Sequence, residues 1–376
     1  MPPSTAGRAT GIWRWGDLLP LRDRRHAVSL GEGDTPLLDI TETLALPGVT
    51  VHVKCEHLNP TGSFKDRIAA VALSLVRERS LLGVLGTSSG NGGAAASAYG
   101  ARAGRHVVLL ALVTTPPEKL VQIRSTGATV HLVEGLGHDP RTTRLLAEEV
   151  RAAGARHGYL PFLTGGRYAP EMMTGARTIA YELAEQAAAT THVYAPVGGG
   201  GLYASLWRGY RDLAGAVPRL VAVQPSGCPT VRDALAGGPG VLTRPSTTVV
   251  SGLQVATLFD DDVPQAVAGS AGHLTEVTDD QVMAAHARLI RNGVFVEPAG
   301  ATALAGLLAD AEAGRLPAGS RAVLVATGAG WKDGGALRNL TDPRPPELWT
   351  AGIDELLDSL PSGPGRRGAQ PEEATG

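Results

Sequence analysis

Short β-rich apolar runs alternate with longer Ala/Leu segments through most of this chain, and no other feature narrows the fold as much. Such an alternation builds a mainly parallel sheet covered by helices on both faces, so the fold class is α/β. Strands are expected at 51–54, 84–87, 106–111, 129–133, 192–196, 219–224 and 322–327. Helices are expected after Ser63, after Gly90, at 117–125, at 141–153 and after Gly200. Several strands run directly into small-residue turns, at 86–93, 198–201 and 328–330. Ligands of doubly wound sheets gather at the carboxyl ends of strands, so three such turns imply one shared site.

At 376 residues the chain exceeds the size at which one core usually stops growing, which favours two domains sharing a cleft. Its 34 basic and 36 acidic residues nearly cancel, and no long run of either sign offers a field for nucleic acid or an anionic membrane. Cys55 and Cys228 are too few for a disulfide framework and lie in no zinc-like spacing, which points to a reduced cytoplasm. Charges at Arg8, Arg14 and Asp17 interrupt the apolar positions of the first thirty residues, unlike a signal peptide. No stretch approaches the roughly 18 apolar residues of a membrane span. The tail 361–376, rich in Pro, Gly, Glu and Arg, is expected to be disordered, after a short helix-like piece at 347–360.

Four segments carry chemistry. Asn59-Pro60-Thr61-Gly62-Ser63-Phe64-Lys65-Asp66-Arg67 reads as a turn, a helix cap at Ser63 and a lysine in the first helical turn. The positive field of a helix N-terminus disfavours an ammonium there and keeps the Lys65 amine available for imine formation. The alternative is a solvated surface lysine beside an Asp/Arg pair. Ser88-Ser89-Gly90-Asn91-Gly92-Gly93 lies between a strand and an alanine-rich helix, where free amides and hydroxyls hold a carboxylate; an ordinary glycine-rich turn is the other reading.

Pro196-Val197-Gly198-Gly199-Gly200-Gly201 gives up backbone entropy without packing in return, which suits amides curled around a phosphate. It lacks the Lys-Ser/Thr ending of a P-loop and the G-x-G-x-x-G spacing of a dinucleotide fold, so a monophosphate is the expected ligand, with a flexible turn as the alternative. Thr327, in Ala326-Thr327-Gly328-Ala329-Gly330, closes the last strong strand. Its neutral hydroxyl suits a pyridine nitrogen that is to stay unprotonated; alone, it is a β-branched residue ending a strand.

Taken in order, these segments resemble the fold-type II family of enzymes dependent on pyridoxal 5'-phosphate (PLP), from about Gly11 to Asp333, and within it the threonine synthases. Further likeness lies in Gly11-Ile12-Trp13-Arg14-Trp15 and in Leu30-Gly31-Glu32-Gly33-Asp34-Thr35-Pro36-Leu37. The resemblance implies two doubly wound α/β domains with the active site between them: a large one at 1–79 and 166–350, and a small one nested at 80–165. It further implies a homodimer acting on an amino acid. Lys65 would form the Schiff base with PLP and later shuttle protons, and Asn91 would bond the cofactor's phenolic oxygen. The amides of Gly198, Gly199, Gly200 and Gly201 would take its phosphate and Thr327 its ring nitrogen. Ser88, Ser89, Gly90 and Gly92 would surround the substrate carboxylate. Glu297-Pro298-Ala299-Gly300-Ala301 also resembles a segment near the family's active site, with a structural charge as the alternative.

Departures from threonine synthases fall on the substrate side. Their Asn-Ser-x-Asn-Pro-x-Arg segment binds the substrate phosphate; here 166–172 reads Gly-Arg-Tyr-Ala-Pro-Glu-Met, with Met172 in place of the arginine. A thioether offers an oxyanion none of a guanidinium's charge-assisted hydrogen bonds; Arg167 stands nearby as a substitute charge, with an ordinary surface arginine as the alternative. Gly92 replaces a common Thr, and Ala329-Gly330-Trp331 replaces His-Gly-Leu. The expectation is a lyase that removes an α-proton and expels a β or γ leaving group, with threonine formation from O-phosphohomoserine first. The alternative within the fold is β-elimination or β-replacement, as in serine/threonine dehydratases and cysteine-synthase-like enzymes. The alternative outside enzymes is a cofactor-free scaffold, against which the joint retention of Lys65, Asn91, the glycine loop and Thr327 argues.

Overall fold

The computed structural model describes residues 10–341, apart from 89, 114, 116, 137, 138 and 243, together with residue 353. Two sheets organise it. Strands β1 (Leu37–Asp39), β2 (Thr50–Lys54), β7 (His192–Pro196), β8 (Arg219–Pro225), β9 (His273–Val277) and β10 (Arg321–Val325) form a six-stranded sheet in the order β1-β2-β10-β7-β8-β9. Only β1 runs antiparallel to its neighbour; the other pairs are parallel. Strands β3 (Gly83–Thr87), β4 (His106–Leu112), β5 (Thr129–Val133) and β6 (Tyr159–Phe162) form a wholly parallel four-stranded sheet in the order β5-β4-β3-β6. The chain thus lays down the β1–β2 edge of the larger sheet, builds the smaller sheet from 83–162, and then returns to complete the larger one.

The seven expected strands are all present, within two residues at each end; the last stops at Val325, so Thr327 lies just beyond it. The three strands not expected from the sequence, β1, β6 and β9, are all sheet edges. Edge strands bury one face at most and so lose the apolar continuity that marks β7, whose five residues are all buried. Within β6, Pro161 also argues against a strand, and an edge is where a sheet tolerates one. The expected helices appear as Lys65–Glu78, Asn91–Ala103, Pro117–Ser125, Pro140–His157 and Gly201–Asp212.

Helix Lys65–Glu78 is buried from Asp66 to Val76 on every side, as its position between the two sheets requires. One apolar cluster joins its Ile68, Leu73 and Leu75 to Val84 and Leu109 of the smaller sheet and Val193 and Val323 of the larger. A second cluster, with Val51, Val53, Leu304 and Leu324, covers the other face of the larger sheet. Residues up to Arg338 form one compact unit. The expected helical piece at 347–360, apart from Ile353, and the tail 361–376 lie outside the described residues. Among the described residues no helix is long and apolar enough to cross a membrane.

Four charges are sealed inside this core. Arg67 donates from Nε and Nη2 to the two oxygens of Glu56, both at 2.7 Å, and from Nη1 to Glu182 Oε1 at 2.6 Å. Lys54 Nζ reaches Glu182 Oε2 at 2.5 Å and the Thr35 carbonyl at 2.8 Å. All four side chains have no exposed surface. Burial opposes the charge of Glu182, but the Arg67 and Lys54 cations outweigh it and hold its pKa down to about 2. Helix Pro170–Gln186 crosses close above Arg67: a Cβ on Gly175 would overlap the Arg67 carbonyl oxygen.

Substituting Arg67→Met roughly keeps volume but leaves the buried Glu56 without a cation and Glu182 with Lys54 alone, so urea denaturation at neutral pH should show a loss of about 3–5 kcal/mol. Because the Glu182 pKa is depressed on folding, its contribution is complete above the ordinary carboxylate range and fades as pH falls toward 2. The gap between wild type and Arg67→Met should therefore narrow in acid; a gap constant across that window would contradict the ion network.

Candidate active site

The turn before Lys65 is closed by Gly62, whose φ of +86° suits glycine and whose amide donates to the Asn59 carbonyl at 2.7 Å. The helix then starts at Lys65 with Phe64 at the cap position. The expected side-chain cap at Ser63 is not made: Ser63 Oγ is buried and finds no hydrogen-bond partner among the described residues. Lys65 Nζ donates to Thr164 Oγ1 at 2.8 Å and lies 4.7 Å from the centre of the Phe64 ring. Burial lowers its pKa to about 8, so near neutrality a sizeable fraction of the amine is uncharged. The surface-lysine alternative fails on its own premise. Asp66 and Arg67 are fully buried and do not pair with each other: Arg67 serves Glu56 and Glu182, while Asp66 accepts from Thr61 Oγ1 at 3.0 Å. Burial pushes the Asp66 carboxyl up to about 7.

Beyond β7, Gly198, Gly199, Gly200 and Gly201 curl into helix Gly201–Asp212. None of their four amides donates to a backbone carbonyl among the described residues. The curl admits no side chains at its tight end. Gly200 has φ +87°, and a Cβ there would lie 2.6 Å from Val263 Cγ2; one on Gly201 would overlap the Thr164 carbonyl oxygen. Free amides at a helix start, pressed this closely by their surroundings, form an anion cradle.

In the second segment Ser88 Oγ accepts from the Gly93 amide at 2.8 Å and so caps the first turn of helix Asn91–Ala103. Its hydroxyl proton remains available to a ligand. Ser89 lies outside the described residues. A Cβ on Gly90 would meet nothing within 4 Å, whereas one on Gly92 would come within 3.0 Å of Ser88 Oγ. Asn91 Nδ2 donates to Glu297 Oε1 at 2.7 Å. Burial raises the Glu297 pKa, against the pull of Lys332 and the Asn91 hydrogen bond.

These segments meet. The Phe64 amide donates to the Thr327 carbonyl at 3.2 Å, and the Glu297 amide to the Gly328 carbonyl at 2.9 Å. A Cβ on Gly328 would overlap Glu297 Oε1 and stand 2.9 Å from Asn91 Nδ2. Thr164 bridges Lys65 to the glycine loop. Lys65, Asn91, Gly201 and Thr327 are therefore linked through single intervening residues, as the strand-end turns implied. Thr164 was not legible in the sequence, since it follows the proline-bearing edge strand β6. Glu297 had left a trace in the Glu297–Ala301 segment.

A buried amine of lowered pKa, a cradle of free amides beside it and a buried Ser63 hydroxyl without a partner among the described residues fit an aldehyde cofactor carrying one phosphate. The sequence profile described as Pyridoxal-phosphate dependent enzyme matches residues 28–328. The chain belongs to that family. It is 31% identical to the threonine synthase of Halalkalibacterium halodurans over 93% of this chain and 98% of the relative. It is 33% identical to the threonine synthase of Synechocystis sp. over 88% and 86% of the two chains. Among solved structures, the T.th. threonine deaminase superposes with a TM-score of 0.66 at 29% identity, covering 78% of this chain and 92% of that one. The protein is a PLP-dependent lyase resembling threonine synthase, with the fold-type II architecture.

In this PLP enzyme the guanidinium at 166–172 is already paired. Met172 is buried, and Arg167 pairs with Asp261 at 2.6 Å. The Gly166 amide donates to Asp260 Oδ2, which Arg208 also holds.

The cradle predicts a specific weakness. Gly200→Ala combines a strained positive φ with a clash against Val263, so PLP titrated into the protein and followed by absorbance should bind at least about tenfold more weakly. Gly215→Ala, with open space around its position, should bind PLP as the wild type does.

Proposed function

We propose that the chain removes the α-proton of an amino acid with the Lys65 amine and expels a leaving group from its β or γ carbon, conversion of O-phosphohomoserine to threonine being the first version. One observation carries this reading: the Lys65 amine is desolvated and adjoins, through Thr164, the glycine cradle. PLP, when bound, supplies the sink for the electrons left on the α-carbon. Lys65 would hold PLP through Nζ, Gly198 to Gly201 its phosphate, Asn91 its phenolic oxygen and Thr327 its ring nitrogen. Ser88, Gly90 and Gly92, with Ser89, would receive the substrate carboxylate. Once the substrate's amino group is held, Nζ is a base beside the reacting carbon. A neutral Thr327 partner keeps the ring less electron-withdrawing than an acid would, which suits elimination.

A second reading, β-elimination or β-replacement on serine, threonine or an activated serine, is favoured by the pocket itself. With Met172 buried and Arg167 committed to Asp261, segment 166–172 gives a substrate phosphate no unpaired guanidinium. We further propose a large domain at 1–79 and 166–350, a small one at 80–165, a homodimer and a cytoplasmic home. The near balance of charge agrees with a small-molecule substrate rather than nucleic acid or a membrane.

Incubating the protein with O-phosphohomoserine, threonine, serine, O-phosphoserine and O-acetylserine separates the readings by release of phosphate, ammonia or 2-oxo acid. Threonine and phosphate from phosphohomoserine support the first. No threonine from it, together with 2-oxo acid from a serine or threonine substrate, moves the assignment to the second. In either case Lys65 must be uncharged to act. Lys65 is released as a free amine only once substrate is held, so with its pKa lowered to about 8, kcat should climb with pH through the neutral range and level off above about 8. A rate that falls over that interval would mean that Lys65 is not the base.

A further inference from the structure

Thr164 stands where the chain leaves the smaller sheet after β6 and heads for helix Pro170–Gln186. It touches the site twice. Its hydroxyl accepts from Lys65 Nζ at 2.8 Å, and its carbonyl oxygen lies under Gly201, where a Cβ would overlap it. The surrounding loop is fastened on both sides. The Gly165 amide donates to the Leu163 carbonyl at 2.8 Å, and the Gly166 amide to Asp260 Oδ2 at 2.8 Å. Gly165 packs so tightly on Phe259 that a Cβ would overlap the Phe259 carbonyl oxygen, while the Phe259 amide donates to the Gly199 carbonyl at 2.8 Å. Thr164 is thus held to the same frame as the cradle.

We propose that Thr164 is the positioning residue for the free Lys65 amine, docking Nζ between the glycine cradle and the substrate whenever that amine is not bonded to the cofactor. This rests on Lys65 being the cofactor lysine. A lysine stem is a flexible four-carbon chain, and an unanchored amine would face the α-carbon only a fraction of the time. One N–H held by Thr164 Oγ1 fixes the rotation at Nζ and leaves the lone pair free for the proton. A hydroxyl suits this role better than a carboxylate, which would keep the amine protonated. The charged groups of the neighbouring elements are engaged elsewhere. Asp66, on the same helix, holds Thr61; Glu297 holds Asn91; Lys332 donates to Gln122 Oε1; and Asp260, beyond the Thr164 loop, pairs with Arg208. Among the described residues, the Thr164 hydroxyl is the side-chain acceptor that Nζ has.

An accepting hydroxyl favours the ammonium over the amine, so its loss has a sign. Full-length protein stripped of cofactor is mixed with PLP, and the uptake rate, followed by absorbance, is measured against pH for wild type and for Thr164→Val, Thr164→Ala, Thr164→Ser and Lys65→Ala. The wild-type rate should rise with a midpoint near 8. Thr164→Val and Thr164→Ala should both move that midpoint down by roughly one pH unit, a tenfold change in the uncharged fraction. Thr164→Ser, which restores the hydroxyl, should return it. A wild-type midpoint in both Val and Ala variants, with uptake still requiring Lys65, would overturn the proposal and leave Thr164 a packing residue. Uptake by Lys65→Ala with the wild-type midpoint would instead overturn the reading of Lys65, and the docking role with it.

Discussion

Putting Arg67, Lys54, Glu56 and Glu182 out of reach of water costs several kcal/mol per ion unless each finds close partners, and the structure supplies them from four different elements, Glu56 from the short turn Glu56–Leu58. Lys54 ends β2, Arg67 lies in the first turn of the central helix, and Glu182 belongs to the helix that follows the smaller sheet. The cluster fixes these three against one another, and the amine two residues before Arg67 is fixed with them. A lysine at the start of a helix buried from Asp66 to Val76 is then desolvated by its surroundings rather than by any single charge.

That burial also decides the character of the site. On the sequence alone, the helix field is the expected cause of a lowered Lys65 pKa; in the structure the cause is desolvation, with Ser63 contributing no cap. The cradle follows β7 and the amine opens helix Lys65–Glu78, and Thr164 touches both. At 166–172 the chain buries Met172 and ties Arg167 to Asp261. On the proposed reading, where threonine synthases place a charged fork for the substrate phosphate, this is a physical basis for a change of leaving group.

Most of the interior was legible in the sequence, because central strands bury both faces and announce themselves as continuous apolar runs. What was not legible shares a cause. β1, β6 and β9 are edges, with half-exposed or proline-bearing sequences that resemble loops. In the site, Lys65, Asn91 and the glycine loop stood out through local turn chemistry. Thr164 did not, since a threonine after an edge strand acquires meaning only when the fold brings a residue 99 positions away against it. The Asp66/Arg67 neighbours misled for the complementary reason: adjacency in sequence suggested a surface pair, and the helix directs the two to separate buried partners.

One amine carries the whole of the chemistry assigned to this fold. Borohydride reduction of the PLP-loaded protein, followed by proteolysis and mass analysis, should place a single phosphopyridoxyl group on the peptide containing Lys65. The same group on another lysine, or on none, would contradict that assignment.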